Sequence, residues 1–314
     1  MTAGPERGSH SSFADRLQEA IDRKRSCLVV GLDPTVERLP AEVQARVRGR
    51  IGDIGWTAHA ATACALFLDE VITAVADVAV AVKPNTAFFE RFGAVGWDCL
   101  LRLCTRARQA GLLVIADAKR GDVGHTAEAY AEAFLGAIPD TLGVVTDAVT
   151  LHPWTGSDGV QPFLERVRDD GKGIFILVRT SNPSAAEIQD LEVEGEPVFE
   201  RVARLVRGWG EGLEGECGLN PVGAVVGATA PEQAARARAV LDRAFLLVPG
   251  LGTQGGSADA LARLFLPGGR GVIVNASRSI LYAHESAEGP WQDAVARAAR
   301  STREELERVR ERTG

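Results

Sequence analysis

Cysteine is scarce in this 314-residue chain, and the five present (Cys27, Cys64, Cys99, Cys104 and Cys217) form no Cys-x-x-Cys pair. Neither a disulfide framework nor a zinc cluster is expected from that spacing. Cysteines set in apolar stretches act as small hydrophobes, which suits a reducing, cytoplasmic compartment. Positive charge is also in deficit. A net charge of −7 argues against a general nucleic-acid or membrane-surface binder and leaves room only for a local basic pocket. No apolar run approaches the roughly 18 residues that a membrane span needs. The first 12 residues are polar and lack the basic-then-apolar layout of a signal peptide, so they read as a frayed tail. No Gly-x-Gly-x-x-Gly follows the first apolar run, which disfavours an open dinucleotide-binding sheet.

What is present is a hydrophobic share of 46% with 25% charged residues, enough for a globular core. Short runs rich in Val, Ile and Leu recur, each followed by a polar break and a helical pattern. Such runs suit strands buried on both faces, as in a helix-covered parallel sheet. The strands are predicted at 27–33, 78–84, 112–119, 148–153, 173–180, 222–229, 244–250 and 271–278. Helices are predicted between them at 58–75, 97–109, 126–135, 231–241 and 258–265, with a last, charged helix over 291–312. Eight strand–helix units predict an α/β fold, a single (β/α)8 TIM barrel over residues 13–314.

Chemistry in such a barrel sits at the C-terminal ends of the strands. Those ends carry Asp33, Lys83, Asp117 with Lys119, then Thr180-Ser181-Asn182, Pro249-Gly250 before a glycine-rich stretch with Gln254, and Ser277-Arg278. Charged groups at the ends of apolar strands are costly unless paired, and these alternate in sign. Asp117 and Lys119 lie two apart on one strand, which places both side chains on one face. Asp122 and Thr126 follow; each is also a favoured helix-cap residue. The late loops look built for an anion, with backbone N–H groups, glycine and an arginine able to grip phosphate.

Taken together, these segments resemble the orotidine 5′-phosphate decarboxylases, closest to the bacterial subgroup with longer chains (type 2). The resemblance runs from about Leu28 to Ala283. It rests on Val30-Gly31-Leu32-Asp33, Ala81-Val82-Lys83-Pro84-Asn85, Asp117-Ala118-Lys119-Arg120-Gly121-Asp122, Arg179-Thr180-Ser181-Asn182-Pro183, Pro249-Gly250 with Gln254-Gly255-Gly256, and Ala276-Ser277-Arg278-Ser279. It implies conversion of orotidine 5′-monophosphate to uridine 5′-monophosphate without cofactor or metal. Lys83, Asp117, Lys119 and Asp122 would be catalytic, with Lys119 as the proton donor. Asp33 would hold the ribose, Ser181 the pyrimidine edge, and Gln254 would bridge base and phosphate. Arg278, with Pro249 and Ser277 beside it, would take the phosphate. A homodimer is implied, with Asp122 and Thr126 reaching the other subunit's site.

One stretch departs from the family pattern. His152-Pro153-Trp154-Thr155-Gly156 stands where Asn-Pro-Tyr and a glycine are expected, and His152 is expected to make a structural hydrogen bond. Two other functions fit these residues less well. A magnesium-dependent sugar-phosphate enzyme would need a carboxylate at the second strand's end, where Lys83 would repel the ion. A non-catalytic nucleotide-binding barrel would have no need of the charged array.

Overall fold

Alternation of buried apolar strands with helices long enough for parallel crossovers suits a helix-covered parallel sheet, and here that sheet closes on itself. The computed structural model describes residues 11–51, 55–136, 146–250 and 257–313. Its strands β1 (Leu28–Leu32), β2 (Ala81–Pro84), β3 (Leu113–Arg120), β4 (Ala148–Leu151), β5 (Gly173–Arg179), β6 (Asn220–Val226), β7 (Ala244–Pro249) and β8 (Val272–Ala276) pair in sequence order, and β8 returns to β1. All eight pairings are parallel. This is the predicted (β/α)8 barrel.

Strand starts moved where helix ends intrude. Residues 78 and 79 donate to the carbonyl of Val75 and finish the preceding helix, so β2 begins at Ala81 and not at 78. The helices over Trp56–Val75, Gly93–Gln109, Gly124–Leu135, Pro231–Val240, Ala258–Ala262 and Trp291–Glu311 fall where predicted, within a few residues. Trp56–Val75 is long and apolar enough, by length and composition, to cross a membrane, contrary to the sequence expectation. It is a core helix here, with Cys64, Phe67, Leu68, Val71 and Ile72 buried in the main hydrophobic cluster.

Most of the predicted tail lies outside the described residues, but Ser12 accepts from the amide of Ala14 and caps a helix over Phe13–Lys24 that the sequence reading missed. That helix plugs the bottom of the barrel. Phe13 meets Phe175 edge-on at 5.9 Å, in a cluster with Val29, Ile115, Phe245 and Ile273. A Phe or Leu buried this way contributes roughly 1.5–3 kcal/mol, so the plug does much to fix the strand ends.

Residues just after β1 brace the opposite, C-terminal end. Arg38 lies 3.8 Å over the ring of Tyr282 and pairs with both oxygens of Glu285. The Tyr282 hydroxyl accepts from the amide of Thr35 at 2.7 Å and donates to the carbonyl of Asp33 at 3.2 Å. The chain just after β1 is thereby held beside the mouth. Cys27, Cys64, Cys99 and Cys104 are free and buried, and burial pushes the thiols of Cys27, Cys64 and Cys104 up to about 12.

Candidate active site

Lys83 ends β2 and Asp117 lies near the end of β3, and their side chains meet at 2.5 Å inside the mouth, with Lys83 6% and Asp117 8% exposed. Lys119 binds the other oxygen of the same carboxylate. Burial alone would raise the Asp117 carboxyl, but the charges and hydrogen bonds of Lys83 and Lys119 hold it far below the usual carboxylate range. Burial would likewise lower Lys83, yet Asp117 and Asp33 outweigh it and raise the ammonium above its ordinary value. Lys83 and Asp117 stay charged because each supplies what desolvation takes from the other.

Lys119 does not reach this position by simple strand alternation. The β3–β4 register shifts between Ala116 and Arg120, and Lys119 sits at φ +46° in the left-handed region. Such backbone costs a non-glycine residue of order 1–3 kcal/mol and persists only where its surroundings over-determine it. Here Thr150 of β4 supplies the constraint. Its hydroxyl accepts from the Lys119 amide at 3.0 Å and donates to Asp117 Oδ1 at 3.0 Å. Arg120 adds a second anchor, paired with Glu90 and donating to the carbonyl of Ala118 at 3.1 Å.

Two adjoining cavities open above the array. One, of about 450 Å³, is lined by Lys83, Asp117, Lys119, Thr150 and Ser181 together with apolar Leu177, Val225 and Leu247. The other, of about 390 Å³, is lined by Asp33, Pro249, Gly250, Ser277, Arg278 and Ser279. Lys83, Ser181, Pro249 and Asn275 border both, so the two form one continuous site. A larger cavity of about 490 Å³ lies at the far end of β6 and β7, where Arg207–Asp242 and Arg243–Glu214 ion pairs occupy its walls. In this fold the N-terminal face is the stability end, and the charged mouth is the chemical one.

The loop after β5 is tied together by its own hydrogen bonds. Arg179 clamps Asp190 through two hydrogen bonds at 2.7 and 3.0 Å, and Gln189 exchanges hydrogen bonds with Thr180. Ser181 is carried between them, its carbonyl accepting from Thr229 at 3.2 Å. On the other side β1 and β8 approach closely at Gly31, where an added Cβ would stand 1.9 Å from the Ser277 hydroxyl oxygen, so no larger residue fits.

Sequence reading missed Asn275, an inward polar residue in the otherwise apolar β8, and Thr150, its counterpart in β4. Asn275 Oδ1 and Asp33 Oδ1 are both buried without a hydrogen-bond partner. A buried acceptor left this way is costly, so these two call for donors from a ligand.

Two expectations are not met within one chain. Among the described residues no hydrogen bond or ion pair joins Asp122 or Thr126 to Lys83, Asp117 or Lys119. Asp122 Oδ1 accepts only from the next amide, that of Val123, at 2.8 Å, and the helix that follows has no side-chain cap. Gln254 lies outside the described residues. The structural hydrogen bond expected of the His152 side chain is not seen among the described residues; its backbone amide donates to the carbonyl of Arg120 at 3.1 Å, and its ring packs on Gly121, where a Cβ would come within 2.4 Å of it. Among the described residues no cluster of three His, Cys, Asp or Glu side chains is placed to hold a metal ion.

Comparison with known proteins places the chain in a family. Residues 26–289 match the orotidine 5′-phosphate decarboxylase / HUMPS family. The chain is 43% identical over 303 residues to the orotidine 5′-phosphate decarboxylase of Rhodopirellula baltica, covering 94% of this chain and 99% of that protein. It is 38% identical over 297 residues to the Deinococcus radiodurans orotidine 5′-phosphate decarboxylase, covering 94% and 97%. Among solved structures, the OMP decarboxylase of Leishmania donovani superposes with a TM-score of 0.72 at 32% identity, over 96% of this chain and 99% of that one.

Proposed function

The chain belongs to the orotidine 5′-phosphate decarboxylase / HUMPS family, and we propose that it decarboxylates orotidine 5′-monophosphate to uridine 5′-monophosphate, the last step of UMP synthesis. The observation that carries this choice within the family is Lys83, buried at the end of β2 and paired with Asp117. A metal-dependent sugar-phosphate enzyme would place a carboxylate there, whereas an ammonium repels a divalent cation.

The reaction breaks the bond between C6 and its carboxylate; carbon dioxide leaves and the electron pair stays on C6. Lys119 faces that carbon with its ammonium, stabilises the developing charge, and then delivers a proton to C6. The neutral amine left behind regains a proton from water. Asp117 lies against the substrate carboxylate, and Lys83 keeps Asp117 ionised. The apolar wall of Leu177 and Val225 suits departing neutral carbon dioxide.

Asp33 and Asn275 take the ribose hydroxyls, which are the only donors on the sugar and satisfy the two orphaned acceptors. Ser181 meets the pyrimidine edge. Arg278, with Ser277, Pro249 and Gly250, takes the phosphate, and Gln254 bridges base and phosphate. The phosphate is remote from C6, so its binding energy serves to close and dry the site. Asp122 and Thr126 complete the site of a second subunit, in keeping with Val123 between them, an apolar residue 49% exposed. The test is the loss of ultraviolet absorbance of orotidine 5′-monophosphate with purified protein and excess chelator. Turnover is expected; no turnover, or turnover that the chelator abolishes, contradicts the reading.

A further inference from the structure

Thr150 is 1% exposed on β4, and its one hydroxyl is used twice: it accepts from the backbone N–H of Lys119 and donates to Asp117 Oδ1, both at 3.0 Å. A hydroxyl has a single proton, so this direction is fixed; the amide can only donate and the ionised carboxylate can only accept. The same oxygen of Asp117 also receives the Lys119 ammonium. Thr150 therefore closes a ring with both ends of Lys119, its amide and its side-chain tip, through one carboxylate.

The ring forms where the backbone is least able to hold itself. Lys119 lies at φ +46°, inside the shift of register between β3 and β4. Without the Thr150 oxygen, the Lys119 amide loses its partner at this shift, and Asp117 can turn about its own side chain. Both changes move the Lys119 ammonium, and a displacement of about 1 Å at a reacting group is enough to cost about 100-fold in rate.

We infer that Thr150 is a positioning residue for the decarboxylation: it sets the orientation of Asp117 and pins the backbone of Lys119, without itself binding the substrate. The inference rests on the function proposed above, and the wild-type assay separates the two: no turnover by the wild-type protein defeats that function, whereas the variants below bear on Thr150 alone.

Thr150→Val keeps the shape and removes the hydroxyl. Its kcat is expected to fall about 100-fold, with KM for orotidine 5′-monophosphate and Kd for uridine 5′-monophosphate within about threefold of wild type, since uniform binding is untouched. Thr150→Ser restores the hydroxyl and is expected within about threefold of the wild-type kcat. Amide hydrogen exchange adds a readout that packing alone would not move: protection at Lys119 is lost in Thr150→Val and kept in Thr150→Ser, while that at Val114 and Ile115 is unchanged. If Thr150→Val does not fold, Thr150→Ala against Thr150→Ser decides by the same measures. A wild-type kcat in the variant lacking the hydroxyl overturns the inference. So does an equal loss in the serine variant, or a loss expressed in KM.

Discussion

Lys83 and Asp117 meet at 2.5 Å with neither side chain more than a tenth exposed, and the same carboxylate holds Lys119 on its second oxygen. One buried anion therefore organises two cations, one sealed in the wall and one, Lys119, about half exposed toward the cavity. Lys83 is only 6% exposed, so its charge depends on Asp117 and, at longer range, Asp33. The division of labour follows from burial: Lys83 fixes the carboxylate, and Lys119 remains accessible to a ligand.

Removing the anion should cost stability as well as activity. Asp117→Asn leaves Lys83 buried without its countercharge, and breaking a buried pair in this way typically destabilises by about 3–5 kcal/mol. Urea unfolding of the two proteins checks this. A loss below about 1 kcal/mol would mean that Lys83 is hydrated or neutral.

The pH dependence of stability follows from the same pair. Asp117 is depressed below the ordinary 3.8, so its contribution is complete above that value and drains away as pH falls below it. Lys83 is raised above the ordinary 10.5, so its contribution is complete below that value and is lost at still higher pH. The pair is thus expected to add no slope between about pH 5 and 9. The wild-type minus Asp117→Asn unfolding free energy should fall below about pH 4, where Asp117 takes up its proton; a fall beginning near pH 6 would place the titration on another group.

At the other end of the site, Arg278→Ala removes a charge-assisted grip on phosphate worth roughly 1.5–3 kcal/mol, or about 10- to 100-fold in binding. The loss should appear in the affinity for uridine 5′-monophosphate and be absent for uridine, which has no phosphate. Calorimetry with both ligands measures it. Equal losses for the two would place Arg278 on the nucleoside.

Asp122 and Thr126 stand outside the array in one chain, and the proposed function assigns them to the site of a second. Mixing Lys119→Ala with Asp122→Ala chains under exchange builds hybrid dimers in which one of two sites has both native residues. Half of the dimers are hybrids, so about a quarter of wild-type activity should return. An inactive mixture, with hybrid formation shown by mass spectrometry, contradicts a shared site.

Much of this was legible before any coordinates. Eight buried runs with helices between them gave the barrel, and the polar residues at their ends gave Asp33, Lys83, Asp117, Lys119, Ser181 and Arg278, because charge at the end of an apolar strand needs a reason. Asp117 and Lys119 do line one cavity, as expected, but by a geometry the sequence did not show. Period-two alternation places residues 117 and 119 on one face, but a register shift cannot be read from one strand, since it depends on the partner β4. Thr150 and Asn275 escaped notice because a single Thr or Asn inside an apolar run is unremarkable until its neighbours across the sheet are known. The Phe13–Lys24 plug was missed as the chain start was read by its polarity, although Phe13, Leu17 and Ile21 recur at helical spacing.

The central claim is that Lys119 carries the chemistry and the rest of the site carries the binding. The most direct test is single-turnover decarboxylation by purified Lys119→Ala, with uridine 5′-monophosphate binding measured on the same sample. Turnover should fall by at least about 1,000-fold, as expected for loss of a group acting both as general acid and as charge stabiliser, with nucleotide affinity within about tenfold of wild type. Decarboxylation near the wild-type rate would contradict it.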